Sequence, residues 1–295
     1  MDAADLRIFE SVARYESMNR AATELHTVQS NVTARIKGLE DELGVALFSR
    51  HARGVTLTPA GQRMLPFAGR IAKLFAEART AALDDGPPSG ELVLGTLETS
   101  AALRLAPSLA RFAQAYPKVR LVLRVGTTQG LAAEVLACRL DGAFVAGPVT
   151  HANLRAEPIF QEELVLLTPR AIRSPADLTG AESLRLIVFR RGCSYRQRLE
   201  AYLAQLGVVA AEPLEFGSLD AILACVAAGV GVTLLPRSVA DTAHGRAQLA
   251  VHTLPPAIAH VDTVFIVRSD AYLSSAMAAF LDVVRPKEAV SVAAE

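Results

Sequence analysis

The sequence predicts a mixed fold: a small winged helix-turn-helix at the N-terminus, then a larger α/β domain. Three observations carry this. Apolar residues recur at helical spacing through the first 43 residues, with a short break before the third helix. The run Asp84-Asp85-Gly86-Pro87-Pro88-Ser89-Gly90 is a breaker-rich linker. Beyond it, strand-length apolar runs alternate with helix-length ones, the pattern of βα units.

Leu6, Phe9, Val12 and Ala13 set a helix over 3–15. Ser17 can cap a second helix, with Arg20 at its start and Ala21, Ala22 and Leu25 turned inward. His26-Thr27-Val28 is a short turn. A third helix covers 29–43, with Val32, Ile36, Leu39 and Leu43 on one face, and Gly44 stops it. Residues 47–57 read as two short extended pieces around a basic, Gly-containing turn, a small β-ribbon or wing. Thr58-Pro59 opens a long helix, Thr as cap and Pro at the first helical position. On it Met64, Phe67, Ile71, Leu74, Ala78 and Ala81 recur at steps of three and four, a coiled-coil-like seam. A long helix between two domains has little else to bury such a seam against, so pairing with a second subunit is expected. After the linker, strands over 91–95, 120–125 and 141–146 alternate with helices over 101–116 and 129–140. Strands at 186–189, 214–216, 232–235 and 261–268 and helices over 194–206, 219–228 and 274–284 continue the alternation. Such units imply a parallel sheet with right-handed crossovers. The tail after Pro286 is expected to be mobile.

The chain has 295 residues, 51% apolar and 20% charged, which suits two globular domains and argues against general disorder. Residues 1–10 carry acids and no apolar run, so no signal peptide is expected. The apolar stretch 219–236 is broken by Asp220, Gly229 and Gly231, so no membrane span is expected. Cys138, Cys193 and Cys225 are far apart without CxxC spacing, which points to a reducing compartment and hence the cytoplasm. Net charge is zero, but residues 20–73 hold eight Lys/Arg against four Asp/Glu, with His26 and His51 besides. A locally basic segment in a neutral chain suits a small phosphate-contacting surface, although such a run is usually a solvated face.

A recognition helix must show polar and basic side chains on one face while burying aliphatics on the other. Gln29, Ser30, Asn31, Thr33, Arg35 and Lys37 lie away from the Val32/Ile36/Leu39 stripe. Gln and Asn can pair bidentately with adenine and Arg with guanine. Arg50 and Arg53 in the wing suit phosphates or the minor groove. With Ser17 and Arg20, these are the candidate contacts to double-stranded DNA.

The run Ala21-Ala22-x-x-Leu25, Gln29-x-x-Val32-x-x-x-Ile36-x-x-Leu39-Glu40-x-x-Leu43-Gly44-x-x-Leu47-Phe48-x-Arg50-x-x-Arg53-x-Val55-x-Leu57-Thr58-x-Ala60-Gly61 resembles the signature of LysR-type transcriptional regulators. It covers nearly all of the first sixty residues, and the rest of the architecture fits the family. The resemblance implies a winged helix-turn-helix (1–58), a linker and dimerisation helix with hinge (59–89), and an effector domain (90–295) like a type 2 periplasmic binding protein. Lobe I of that domain would be 90–160 and 264–285, and lobe II 161–263. It further implies a dimer or tetramer, an interrupted palindrome as operator, contact with RNA polymerase, and a small-molecule effector between the lobes. The chain departs from the pattern at Val28, where the family usually has Ser, and at Asn31, where it usually has Ala; Ser30 stands where Pro or Ser is usual. With Val28 unable to cap, Thr27 or Ser30 is expected to take that role.

Ligands of open α/β sheets sit outside the carboxyl ends of the strands. The exits here offer Thr96, Glu98, Thr99 and Ser100, then Thr127 and Thr128, then Gly147. The second lobe offers Arg190 and Arg191, Cys193, Ser194 and Tyr195 at one strand-to-helix turn, and Gly217 and Ser218 at another. Any one of these hydroxyls can equally be a simple helix cap. Arginines would suit an anion and Glu98 an ammonium, so the expected effector is anionic or zwitterionic. Cys193 beside Arg191 and Arg196 could have a lowered pKa, though a small residue at a helix start is the plainer reading. The histidines show no metal-ligand spacing, and Gly229-Val230-Gly231 lacks the order of a dinucleotide motif, so no cofactor is expected. An enzyme fused to a helix-turn-helix would need a base in a cleft, but His151, His244, His252 and His260 fall on connections or strand edges. A solute-binding protein is opposed by the N-terminal pattern.

Overall fold

The computed structural model describes residues 1–51, 54–180, 184–208, 212–243 and 246–285. They form two compact units that divide mainly at Gly86–Pro87.

In the first unit, α1 (Ala3–Tyr15) begins at a capping box in which the Asp2 and Asp5 carboxylates each accept from the other's backbone N–H. The Ser17 hydroxyl caps α2 (Met18–Glu24) by accepting from Arg20 N–H. His26, at φ 52°, turns the chain into α3 (Gln29–Leu43), which stops at a left-handed Gly44. β1 (Phe48–His51) and β2 (Gly54–Leu57) pair antiparallel as the expected ribbon. Thr58 caps α4 (Pro59–Leu83). Gly61 is required there, because a Cβ would lie 2.3 Å from the Leu47 carbonyl oxygen. Phe9, Val12, Ala21, Val32, Ile36, Leu39 and Phe48 make the core of this unit, with Met64 and Ile71 of α4 packed against it.

In the second unit, β3 (Gly90–Thr96) runs into α5 (Glu98–Ser100), a π-type stretch (Ala101–Leu105) and α6 (Ala106–Ala115). β4 (Val119–Val125), α7 (Thr128–Leu136) and β5 (Gly142–Ala146) follow. Next come β6 (Leu154–Pro169), β7 (Ile187–Phe189), α8 (Ser194–Gln205), β8 (Leu214–Phe216) and α9 (Leu219–Ala227). The unit ends with β9 (Thr233–Pro236), α10 (Arg237–Thr242), β10 (Leu249–Thr253), α11 (Pro256–Ala259), β11 (His260–Arg268) and α12 (Ser275–Val284).

The sheet is mixed, which corrects the expected parallel one. In it β3 is parallel to β4 and β5, but β6 and β11 run antiparallel to every strand they touch, while β7 and β8 form a separate parallel pair. β6 is 16 residues long. Its first part pairs with β11 and its second with β9 and β10, so one strand serves both lobes. It escapes a sequence reading because charges and Pro158 interrupt it. A register shift at Thr263/Val264 absorbs the irregularity opposite Phe160 and Pro158. β10, α10 and α11 are likewise additions. The helix expected over 129–140 ends at Leu136, and Cys138 turns left-handed at φ 60°. The tail from Pro286 lies outside the described residues.

Candidate nucleic-acid interface and ligand cavity

On α3 the expected split between faces is present. Val32, Ile36 and Leu39 are buried, while Gln29, Ser30, Asn31 and Lys37 are exposed and Thr33 and Arg35 half-buried. The Arg35 guanidinium is engaged within the unit, 3.1 Å from Asp2 and 3.0 Å from Asp5, so it braces α3 against α1. Neither Thr27 nor Ser30 caps α3, contrary to expectation: Val28 holds the N-cap position and no side chain bonds the first turn. Thr27 is occupied otherwise, its Oγ1 accepting from Asn31 Nδ2 at 3.0 Å. Arg20 is exposed, and Ser17 spends its hydroxyl on the cap of α2. Arg50 is half-exposed, 3.8 Å from the Glu40 carboxylate. Arg53 lies outside the described residues.

Glu40, part of the signature run, has a bracing role that no sequence pattern shows. Its Oε1 accepts from Leu47 N–H at 2.7 Å and Phe48 N–H at 3.0 Å, fastening the ribbon to the end of α3. Only the fold brings those two amides to it.

Within the second unit, a cavity of about 250 Å³ opens at the ends of β3, β4 and β5, faced by the turns after β7 and β8. Of the expected residues, Glu98, Thr99, Thr127, Thr128, Cys193, Ser194, Tyr195 and Gly217 line it. Thr96 and Ser100 are buried beside it, and the Thr96 hydroxyl donates to the Leu97 carbonyl. Gly147 borders an adjoining hollow with Gln197 and Arg198. Arg191 is exposed, Ser218 sits at the N-cap of α9, and neither lines the cavity. The apolar walls, Leu97, Val125, Phe189 and Phe216, were missed, because apolar residues at strand ends look like ordinary core.

Two hydrogen bonds join the facing turns, one at the cavity wall and one at the adjoining hollow. Glu98 Oε1 accepts from Leu219 N–H at 2.8 Å, and Gln129 N–H donates to the Gly192 carbonyl at 3.2 Å. Gly192 has φ +91°, and a Cβ there would lie 2.9 Å from Thr127 Oγ1. Thr128 Oγ1 accepts from Ala146 N–H. The Thr99 and Tyr195 hydroxyls are buried with no hydrogen-bond partner. Burial drives the Tyr195 phenol well above its ordinary pKa; the Thr99 hydroxyl beside it offsets this only in part, from a position at which neither hydroxyl makes a well-formed hydrogen bond to the other. Burial also raises the Cys193 thiol, which corrects the lowered pKa considered above. The Arg196 backbone and guanidinium pull the other way, but burial outweighs them, and the guanidinium is shared with Glu200 at 2.8 Å and Glu215 at 2.5 Å. Among the described residues, no cluster of His, Cys, Asp and Glu could hold a metal, and no helix is long and apolar enough to cross a membrane.

Residues 3–62 match the family model described as bacterial regulatory helix-turn-helix protein, lysR family, and residues 85–289 that of the LysR substrate binding domain. The chain is 41% identical over 286 residues to the uncharacterized HTH-type transcriptional regulator YusT of Bacillus subtilis (strain 168), covering 97% of this chain and 96% of that one. The crystal structure of full-length CbnR complexed with its target DNA matches with a TM-score of 0.65 at 26% identity, over 96% of this chain and 99% of CbnR. A full-length OxyR variant from Pseudomonas aeruginosa shares the fold with a TM-score of 0.73 at 23% identity, over 98% and 96% of the two chains. The two family models and the relative at 41% identity, on a chain with an amphipathic α3, its ribbon and a two-lobed second unit, establish that the chain belongs to the LysR family of transcriptional regulators, with a DNA-binding helix-turn-helix and an effector-binding domain.

Proposed function

We propose that this chain is a sequence-specific regulator that works in the cytoplasm as a dimer or tetramer and is switched by a small organic anion held between its two lobes. The observation that carries the reading is the unsatisfied polarity of the cavity. The Thr99 and Tyr195 hydroxyls are buried without partners, and Arg190 on the cavity wall has no carboxylate partner among the described residues. A carboxylate or similar anion would satisfy all three by charge-assisted hydrogen bonds. Leu97, Val125, Phe189 and Phe216 would cover an apolar body attached to it. Glu98 already accepts from Leu219 N–H, which favours an anion over a zwitterion whose ammonium would need that carboxylate.

The bonds from Glu98 to Leu219 and from Gln129 to Gly192 join the lobes, so a ligand in the cavity would bias how firmly they close. Only a ligand with different affinity for the two states can act as a switch. Exposed Phe67 and Leu74 on α4 support pairing of subunits, which would set two α3 helices on two half-sites about one turn apart. A change in subunit arrangement would then alter DNA bending and contact with RNA polymerase.

The test is Thr99→Phe, which fills the cavity, in a gel-shift assay with the DNA upstream of the protein's own gene. Retained DNA binding with a lost effector response is expected. A full response in the filled variant would overturn the cavity as the switch site.

A further inference from the structure

Val28 holds the N-cap position of α3 in an extended conformation, φ −96° and ψ 149°, and makes no capping bond. Ser, Thr, Asp or Asn there would accept from an N–H of the first turn; valine cannot. Nor does it pack. Its side chain belongs to no part of the unit's apolar core, and the residue is 64% exposed. Inside the chain, then, this choice weakens a helix start and leaves two methyl groups in water.

The turn that presents Val28 is firmly built. Thr27 N–H donates to the Ala22 carbonyl at 2.9 Å, and Thr27 Oγ1 accepts from Asn31 Nδ2 at 3.0 Å. These bonds fix the path of the backbone into α3. Gln29 and Ser30, next along, are exposed and polar. In a helix-turn-helix, the N-terminal residues of the recognition helix are the ones that meet base edges in the major groove. Of the four bases only thymine shows a methyl group there, and an apolar side chain is its reader.

We propose that Val28 reads a thymine. Its exposed isopropyl group packs on the C5-methyl of one thymine in each half-site, which makes it a determinant of operator sequence. The occupant that covers this apolar group is DNA.

The experiment uses the full-length protein. Duplexes are selected from a randomised pool with wild type, Val28→Ser and Val28→Ala. The best wild-type duplex is then resynthesised with deoxyuridine replacing thymidine, one position at a time, and affinities are read by fluorescence anisotropy at one fixed salt concentration. Wild type is expected to select T at one position per half-site. Deoxyuridine there should weaken binding about fourfold, the worth of one buried methyl at tenfold per ~1.4 kcal/mol. Val28→Ser should bind both duplexes alike and select no T, and Val28→Ala should lose most of the penalty. The proposal is overturned if no deoxyuridine position weakens wild type, or if both variants keep the full methyl penalty. The wild-type arm depends on neither variant folding.

Discussion

Tyr195 and Thr99 are unusual residues for a folded chain, since a buried hydroxyl without a partner costs roughly 1–3 kcal/mol. Removing such a group should not harm folding. Tyr195→Phe is therefore expected to leave the unfolding temperature unchanged or raise it, while weakening the binding of any anion found for the cavity about tenfold or more, the worth of a charge-assisted hydrogen bond. A thermal melt and a calorimetric titration of the same variant check both halves. The phenol's raised pKa has a matching consequence: Tyr195 stays a hydrogen-bond donor through neutral and mildly alkaline pH. His252 offers a separate check on the folded state. It is buried beside Thr168, 2.8 Å from its hydroxyl, and burial lowers its pKa below the ordinary 6.5. The unfolded chain therefore binds a proton that the folded chain resists, and stability falls as pH drops below about 6.5. In melts across that range, His252→Gln should show a shallower loss on the acid side than wild type.

At the scale of elements, the ribbon depends on α3 through one carboxylate. Glu40→Ala would leave the Leu47 and Phe48 amides without their acceptor, at a cost of about 1–3 kcal/mol. DNA binding is expected to weaken with it; unchanged stability and unchanged gel shift together would remove Glu40 from this role. Most of this unit was legible in the sequence because its signals are local. Gly44 stops α3, Thr58-Pro59 starts α4, and the Val32/Ile36/Leu39 stripe faces inward. The α3 cap was not legible, since Thr27 could serve either the backbone or Asn31 and only the fold decides. β6 was hidden for a different reason. Its first part alternates charged and apolar residues around Pro158, while its second is a short continuous apolar run, so it has no single period. The cavity was half legible. Strand exits located Thr99, Thr128 and Tyr195, but Phe189 and Phe216 show their role only when two separate turns face β3 and β4.

At the scale of the whole molecule, the proposed regulator needs two subunits and one switch. Phe67 and Leu74 are 61% and 50% exposed on α4, too apolar for a surface that stays in water. Leu74→Asp is expected to shift the protein toward monomer in sedimentation and to weaken operator binding steeply, because one α3 then reads one half-site alone. An unchanged oligomer would remove α4 as the pairing element. The switch itself is tested most directly by calorimetry on the full-length protein. The titrants are a panel of small carboxylates with apolar bodies, amino acids, polyamines and uncharged analogues, run beside Arg190→Ala. Heat is expected with an apolar carboxylate, one per subunit, lost or sharply reduced in the variant. Heat only with amines or uncharged ligands, or an anion bound equally well by Arg190→Ala, would contradict the proposed switch.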